Sequence, residues 1–237
     1  MIFKKNENNL TAIILQARID STRLPGKALL LLDGKPLLFH VMQALNFIPA
    51  DLRVLACPAD SLSSFEPIAK ECGFKIYGGP KEDVLERFCQ VIRKYSIKRL
   101  IRATGDNPFV FIDAAIELNK KAASVNADYA GFLELPYGAG IESVNAKALL
   151  QANEKSIEPF DHEHVCPYLY NNPDIFKINR PSAPKKWNYP DIRLTVDTQE
   201  DFDRAIFLYE ALKKEPNEKI RHNGNTIIKI YNSCFNK

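Results

Sequence analysis

An apolar, β-branched run, Leu10-Thr11-Ala12-Ile13-Ile14-Leu15-Gln16-Ala17, empties directly into Arg18-Ile19-Asp20-Ser21-Thr22-Arg23-Leu24-Pro25-Gly26-Lys27. Such a run reads as a buried strand. Beyond the loop, Pro36 opens an apolar-periodic segment to Phe47, read as a helix with proline in its first turn, and residues 52–57 read as the next strand. Strand, loop, helix and strand in that order set the class of fold, because alternating elements build a doubly wound, mostly parallel sheet.

The alternation persists along the chain. A helix is predicted near 62–72, a short strand at 74–77, a break at Gly78-Gly79-Pro80 and a helix over 83–95. In that helix Val84, Leu85, Phe88, Val91, Ile92 and Tyr95 share one apolar face. Residues 98–104 read as another strand, broken by Gly105-Asp106-Asn107-Pro108, with a helix from about 113 to 126. The pattern loosens after Tyr129, so 129–190 is expected to be an insertion on the ligand side. A final strand at 192–196 should lead into a helix reaching about 214, with Thr198 as N-cap and Asp201 closing a capping box.

With 237 residues, 46% of them hydrophobic and 26% charged, the chain is large enough for one α/β core, and residues 1–237 are read as a single domain. A net charge of +3, without a dense basic block, argues against general nucleic-acid binding, so any anion site must be local. The five cysteines, Cys57, Cys72, Cys89, Cys166 and Cys234, show no C-x-x-C pair and read as reduced thiols. A polar run at 2–9 interrupts any signal-peptide core, and no stretch approaches the roughly 18 apolar residues of a membrane span. A cytoplasmic protein without membrane contact is expected.

Open α/β sheets place ligands at the carboxyl ends of their strands, and the cations Arg18, Arg23 and Lys27 there suit a polyphosphate. Arg grips phosphate oxygens through its fork, Lys acts as a point charge, and Gly26 would let the backbone approach closely. The loop lacks the G-x-x-x-x-G-K-[ST] cradle and is not a P-loop. Composition alone favours a solvated basic loop over a phosphate site. Asp106 closes a predicted strand, where it could hold magnesium or cap a turn. Asp197 closes another, where it could bind the same ion or stabilise a helix start.

The loop matches the R-x-x-S-T-R-L-P-x-K signature of sugar-activating cytidylyltransferases. From Ala12 to about Leu212 the chain resembles the spore-coat polysaccharide biosynthesis F-type cytidylyltransferases, relatives of the 3-deoxy-manno-octulosonate and acylneuraminate cytidylyltransferases. The likeness includes Gly34-Lys35-Pro36, Glu82-Asp83-Val84-Leu85-Glu86-Arg87, Arg102 to Asp106, Asp161 to Tyr168 and Arg193 to Phe202. It implies a Rossmann-like nucleotidyltransferase (GT-A-like) fold, commonly a dimer, and a magnesium-dependent transfer of CMP from CTP to a sugar acid. By the same resemblance Ala17, Arg18, Ser21, Arg23, Lys27, Asp83 and Arg102 would bind the nucleotide. Asp106 and Asp197 would ligate Mg2+, Arg18 and Lys27 would act in catalysis with them, and Glu142 and His164 would face the sugar.

The sugar side departs from the F-type pattern. Where that pattern reads P-D-G-x-D-x-E, this chain has Pro136-Tyr137-Gly138-Ala139-Gly140-Ile141-Glu142, losing two acids. His162 replaces an arginine; His162 and His164, two apart on a helix, do not share a face, which argues against zinc and leaves His164 as a sugar contact or a core histidine. Two rivals stand: a GT-A-like glycosyltransferase and a catalytically silent nucleotide-binding module. The first generally needs an Asp-x-Asp chelate at a strand end, and the only such triplet, Asp201-Phe202-Asp203, falls within a predicted helix.

Overall fold

The computed structural model describes residues 10–235, so the polar run at 2–9 lies outside the described residues. The first half of the chain builds β1 (Thr11–Gln16), a hairpin of β2 (Leu31–Leu32) and β3 (Lys35–Pro36), α1 (Leu37–Asn46), β4 (Leu52–Pro58), α2 (Leu62–Glu71), β5 (Lys75–Gly79), α3 (Val84–Tyr95) and β6 (Arg99–Thr104). There follow α4 (Ile112–Ser124), β7 (Tyr129–Ala130), β8 (Glu142–Asn145), α5 (Ala146–Lys155), α6 (Pro159–His164), α7 (Pro167–Tyr170) and β9 (Ile178–Asn179). Three helices close the chain: α8 (Gln199–Leu212), α9 (Glu218–Arg221) and α10 (Gly224–Phe235).

Seven strands form one sheet in the order β5-β4-β1-β6-β8-β7-β9. β1, β4, β5 and β6 run parallel, β8 pairs antiparallel with β6 and β7, and β9 returns parallel to β7. The chain winds outward from β1 to β5 and then crosses back to β6 on the other side of β1. That reversal opens a crevice at the carboxyl ends of β1 and β6, where doubly wound sheets bind ligands.

Alternation along β1 shows why both faces are covered. Ile13 and Leu15 point into one core with α1, α2 and α4, while Ala12 and Ile14 point into the other with α3 and α5. A third cluster gathers Phe109, Phe111, Trp187, Leu194, Val196 and Phe202 beneath α8 and α10. No helix among the described residues is long and apolar enough to cross a membrane.

Three local expectations change. Gly78 and Gly79 do not break the chain but finish β5 in register with Cys57 and Pro58 of β4, and glycine fits there because a Cβ would lie 2.6 Å from Leu62 Cδ1 at Gly78 and 2.9 Å from Arg87 Cγ at Gly79. Pro36 pairs with Leu31 in the hairpin and stands just before α1 rather than in its first turn. Residues 192–196 are not a sheet strand: Tyr137 N–H donates to Ile192 O at 2.8 Å, Leu194 N–H to Tyr137 O at 2.8 Å and Val196 N–H to Asp106 O at 2.9 Å. The segment is extended, but its hydrogen bonds go to two turns because β7 and β9 complete that side of the sheet. The capping box of Thr198 and Asp201 on α8 is present as read.

His222 is buried against the Phe47 ring, with its Nδ1 unpartnered. Burial, then the charges of His40 and Arg221, push its pKa down to about 4. The unfolded chain binds this proton below about pH 6.5 while the folded chain resists it, so stability should fall as pH drops from about 6.5 towards 4. At about 1.36 kcal/mol per pKa unit the loss is on the order of 3 kcal/mol. Urea unfolding of His222→Leu across this range should show a pH slope shallower by that amount; an unchanged slope would locate the acid lability elsewhere.

Candidate active site

The crevice between the ends of β1 and β6 is a cleft of about 430 Å³ lined largely by polar and charged side chains. A larger hollow of about 740 Å³ lies between α4 and residues 217–223, but its charges balance, Asp113 and Glu117 against Lys120 and Lys219. The cleft holds the convergent cations and is the candidate site.

β1 delivers Ala17 and Arg18 to its rim. The loop then folds back on itself, Gly26 N–H donating to Ile19 O at 3.2 Å and Lys27 N–H to Leu24 O at 3.2 Å. Gly26 serves this turn through its φ of +69°, not through close approach, since nothing lies within 4 Å of an added Cβ. Lys27 is thereby aimed across the cleft. Its Nζ donates to Asp106 Oδ2 at 2.8 Å, to Asp197 Oδ1 at 2.8 Å and to Val196 O at 2.9 Å. The two carboxylates that the sequence placed on separate elements therefore meet on one ammonium.

Asp197 is the more enclosed of the pair. Arg23 reaches its Oδ1 at 3.1 Å and Arg193 its Oδ2 at 2.9 Å. Burial pushes this carboxyl pKa up, but the hydrogen bond and charge of Lys27, with Arg23 and Arg193, hold it below the usual value. Arg193 is in turn fixed by both oxygens of Asp201, at 2.8 and 2.9 Å, and Asp201 also accepts from Asp197 N–H at 3.0 Å. The cap of α8 thus doubles as the mount for Asp197.

The donor set accommodates a hard cation. Asp106 and Asp197 offer converging carboxylate oxygens, and among the described residues no group of three His, Cys, Asp or Glu side chains could hold a metal ion. Two carboxylates suit magnesium, which fills its octahedron with phosphate oxygens and water, and do not make a zinc centre. Asn107 Oδ1, buried beside them without a partner, is a further oxygen at this point of the cleft.

The remaining expected residues divide. Ser21, Arg23 and Arg102 line the cleft with Ala17, Arg18 and Lys27. Glu142 does not: it sits behind Arg102 as its ion-pair partner and accepts from Tyr129 O–H at 2.7 Å. Burial works against the Arg102 charge, yet Glu142 raises its pKa above the ordinary value. Asp83 does not line the cleft either; it caps α3, accepting from Glu86 N–H at 2.8 Å, and pairs with His162 Nδ1 at 2.9 Å. His164 is exposed at the cleft, its ring 4.3 Å from that of Phe160, so it is no core histidine. His162 and His164 face different partners. Asp201 is buried within the cap while Asp203 is exposed and accepts from Gln199 at 2.8 Å, so the Asp-x-Asp triplet makes no chelate.

Sequence reasoning passed over Arg87 and Asn107 as site residues and read Tyr137 only as a departure from the F-type pattern. Arg87 is 2% exposed, lines the cleft from α3 and donates to Pro80 O at 2.5 Å. A cation interrupting the apolar face of Val84, Leu85, Phe88 and Val91 was the available signal. Tyr137 projects at the cleft with Arg193 5.1 Å over its ring, and Gly138 next to it takes φ +93°.

Comparison with known proteins places the chain in a family and a fold. A family model described as cytidylyltransferase matches residues 12–229. The spore coat polysaccharide biosynthesis protein SpsF of Bacillus subtilis is 34% identical over 213 residues, spanning 86% of this chain and 88% of its own. A solved cytidylyltransferase from Leptospira borgpetersenii superposes with a TM-score of 0.84 at 23% identity, covering 95% of this chain and 94% of that one. A CMP:2-keto-3-deoxy-manno-octonic acid synthetase solved with CTP shares the fold at a TM-score of 0.67 and 17% identity, covering 85% and 99%.

The turn at Gly138 is what docks residues 192–196 against Asp106. A Cβ there would lie 2.6 Å from Thr195 N and 2.9 Å from Asn107 Oδ1, in a left-handed conformation besides. Gly138→Ala should cost about 1–3 kcal/mol in denaturant unfolding. An unchanged midpoint would mean that the turn is not packed as described.

Proposed function

This chain belongs to the cytidylyltransferase family of nucleotidyltransferase enzymes, and we propose that it joins CMP from CTP to a sugar acid or related sugar, releasing pyrophosphate, for surface-polysaccharide synthesis. The observation that carries the reading is the meeting of Lys27, Asp106 and Asp197 at the end of a cationic loop. The acceptor follows the SpsF and octulosonate relatives, whose names concern polysaccharide and keto-sugar chemistry.

In this reaction an acceptor hydroxyl oxygen attacks the α-phosphorus, the bond to the β-phosphate breaks, and pyrophosphate leaves with the bonding pair while the hydroxyl proton passes to solvent. Little covalent work falls to the protein, which must align and neutralise phosphates. Arg18 and Arg23, both exposed at the rim, and Ser21 take the triphosphate; Lys27 adds a point charge. Arg102, held by Glu142, and the enclosed Arg87 shape the cleft around the nucleotide. Asp106 and Asp197 would hold a magnesium ion, which supplies charge neutralisation and lowers the pKa of the acceptor hydroxyl. His164 faces the acceptor.

Residues 1–237 act as one nucleotidyltransferase unit, in the cytoplasm and as a homodimer, with 129–190 carrying acceptor contacts and the pairing surface. Ile157, 87% exposed, and Phe160, 59% exposed, support that assignment, since apolar side chains so open to water gain from being covered.

The test is a matrix of the four nucleoside triphosphates against keto-acid sugars and sugar phosphates, read by pyrophosphate release and product mass. Pyrophosphate with CTP and a keto-acid sugar, and a product heavier by CMP, are expected. CTP binding without pyrophosphate from any acceptor, or transfer from a supplied nucleotide sugar, would overturn the reading. Asp106→Ala should lower kcat by about 100-fold or more, near 3 kcal/mol, while CTP binding measured without a divalent cation changes little; turnover within about threefold of wild type would remove Asp106 from the mechanism.

A further inference from the structure

We propose that Lys27 is a positioning residue that keeps the two-carboxylate cation site assembled but closed while its ammonium holds both carboxylates, and opens it when a triphosphate draws that ammonium away. This rests on the reading of Asp106 and Asp197 as cation ligands.

All three N–H groups of the ammonium are spent inside the protein, on Asp106 Oδ2, Asp197 Oδ1 and Val196 O, at 2.8, 2.8 and 2.9 Å. Its side chain is 13% exposed. A divalent cation seeking the same two carboxylate oxygens would stand close to the ammonium, and the repulsion between the two opposes its binding. Lys27 therefore competes with the metal, and it cannot serve a phosphate while it holds the carboxylates.

A phosphate offers the ammonium an equivalent partner. Arg18 and Arg23 stand exposed at the rim to place one, and a lysine on its flexible stem re-aims a point charge without the planar constraint of arginine. The carboxylates do not disperse when Lys27 leaves. Asp197 Oδ2 stays on Arg193, which both oxygens of Asp201 grip, and Asp106 stays joined through its carbonyl to Val196 N–H at 2.9 Å. Of Asp197, Oδ1 is thus the oxygen turned to the incoming ion, still touched at 3.1 Å by the exposed guanidinium of Arg23, which a phosphate also draws off. Cation and nucleotide should bind as a coupled pair, each raising the affinity of the other by the same factor.

Manganese titration followed by electron paramagnetic resonance, without nucleotide, tests this on the full chain. Lys27→Met and Lys27→Gln should each bind Mn2+ at least tenfold more tightly than wild type, the glutamine variant keeping one donor to a carboxylate should methionine not fold. Adding Asp106→Asn to either should abolish the gain. A non-hydrolysable CTP analogue should tighten Mn2+ binding more in wild type than in the Lys27 variants. If both variants bind Mn2+ no more tightly than wild type while Asp106→Asn weakens binding, Lys27 does not close the site and the ligand reading stands. If the Lys27 variants bind tightly and Asp106→Asn changes nothing, the ligand reading falls and the proposal with it.

Discussion

The ammonium of Lys27, shared between Asp106 and Asp197, ties together three parts of the chain separated by 79 and 170 residues. Each part of the architecture serves that meeting. β1 and β6 are parallel neighbours, so the loop leaving one lies beside the turn leaving the other. Residues 192–196 reach the same point through hydrogen bonds to Tyr137 and Asp106. Enclosing carboxylates with no cation would cost several kcal/mol apiece. Lys27, Arg23 and Arg193 offset that cost and fix the positions together.

The cleft is basic on a chain whose net charge is only +3, which makes the field local. Its cations come in two kinds. Arg18 and Arg23 are exposed at the rim, Arg23 touching Asp197 from the solvent side, where a guest of changing charge can draw them over. Arg87 and Arg102 are enclosed and held, one by the Pro80 carbonyl and the other by Glu142, and they contribute shape as much as charge. The first kind suits a leaving group and the second a recognised part of the ligand that stays put.

The sequence exposed the fold where local pattern and burial coincide. β1, β4 and β6 are short apolar runs bounded by turn residues, and α3 carries one apolar face, so type and order were legible. The loop from Arg18 to Lys27 was legible because chemistry is concentrated in ten consecutive residues. Residues 192–196 misled because a buried extended segment and a sheet strand share one pattern, and only partners far along the chain tell them apart. Glu142 and Asp83 were legible as charges but not as neighbours: their roles depend on Arg102, Tyr129 and His162, which lie 13 to 79 residues away. Arg87 was masked by the helix around it, since an amphipathic reading assigns charges outward and this one faces in.

The order in which these groups enter a growing chain has a consequence for biosynthesis. Lys27 and Asp106 are made early, in the loops that follow two adjacent strands, and can pair while translation is still under way. Asp197, with the Arg193 and Asp201 that mount it, is made almost a hundred residues later. A nascent chain stalled before that point would carry a half-neutralised pocket, able to attract anions but lacking its second carboxylate.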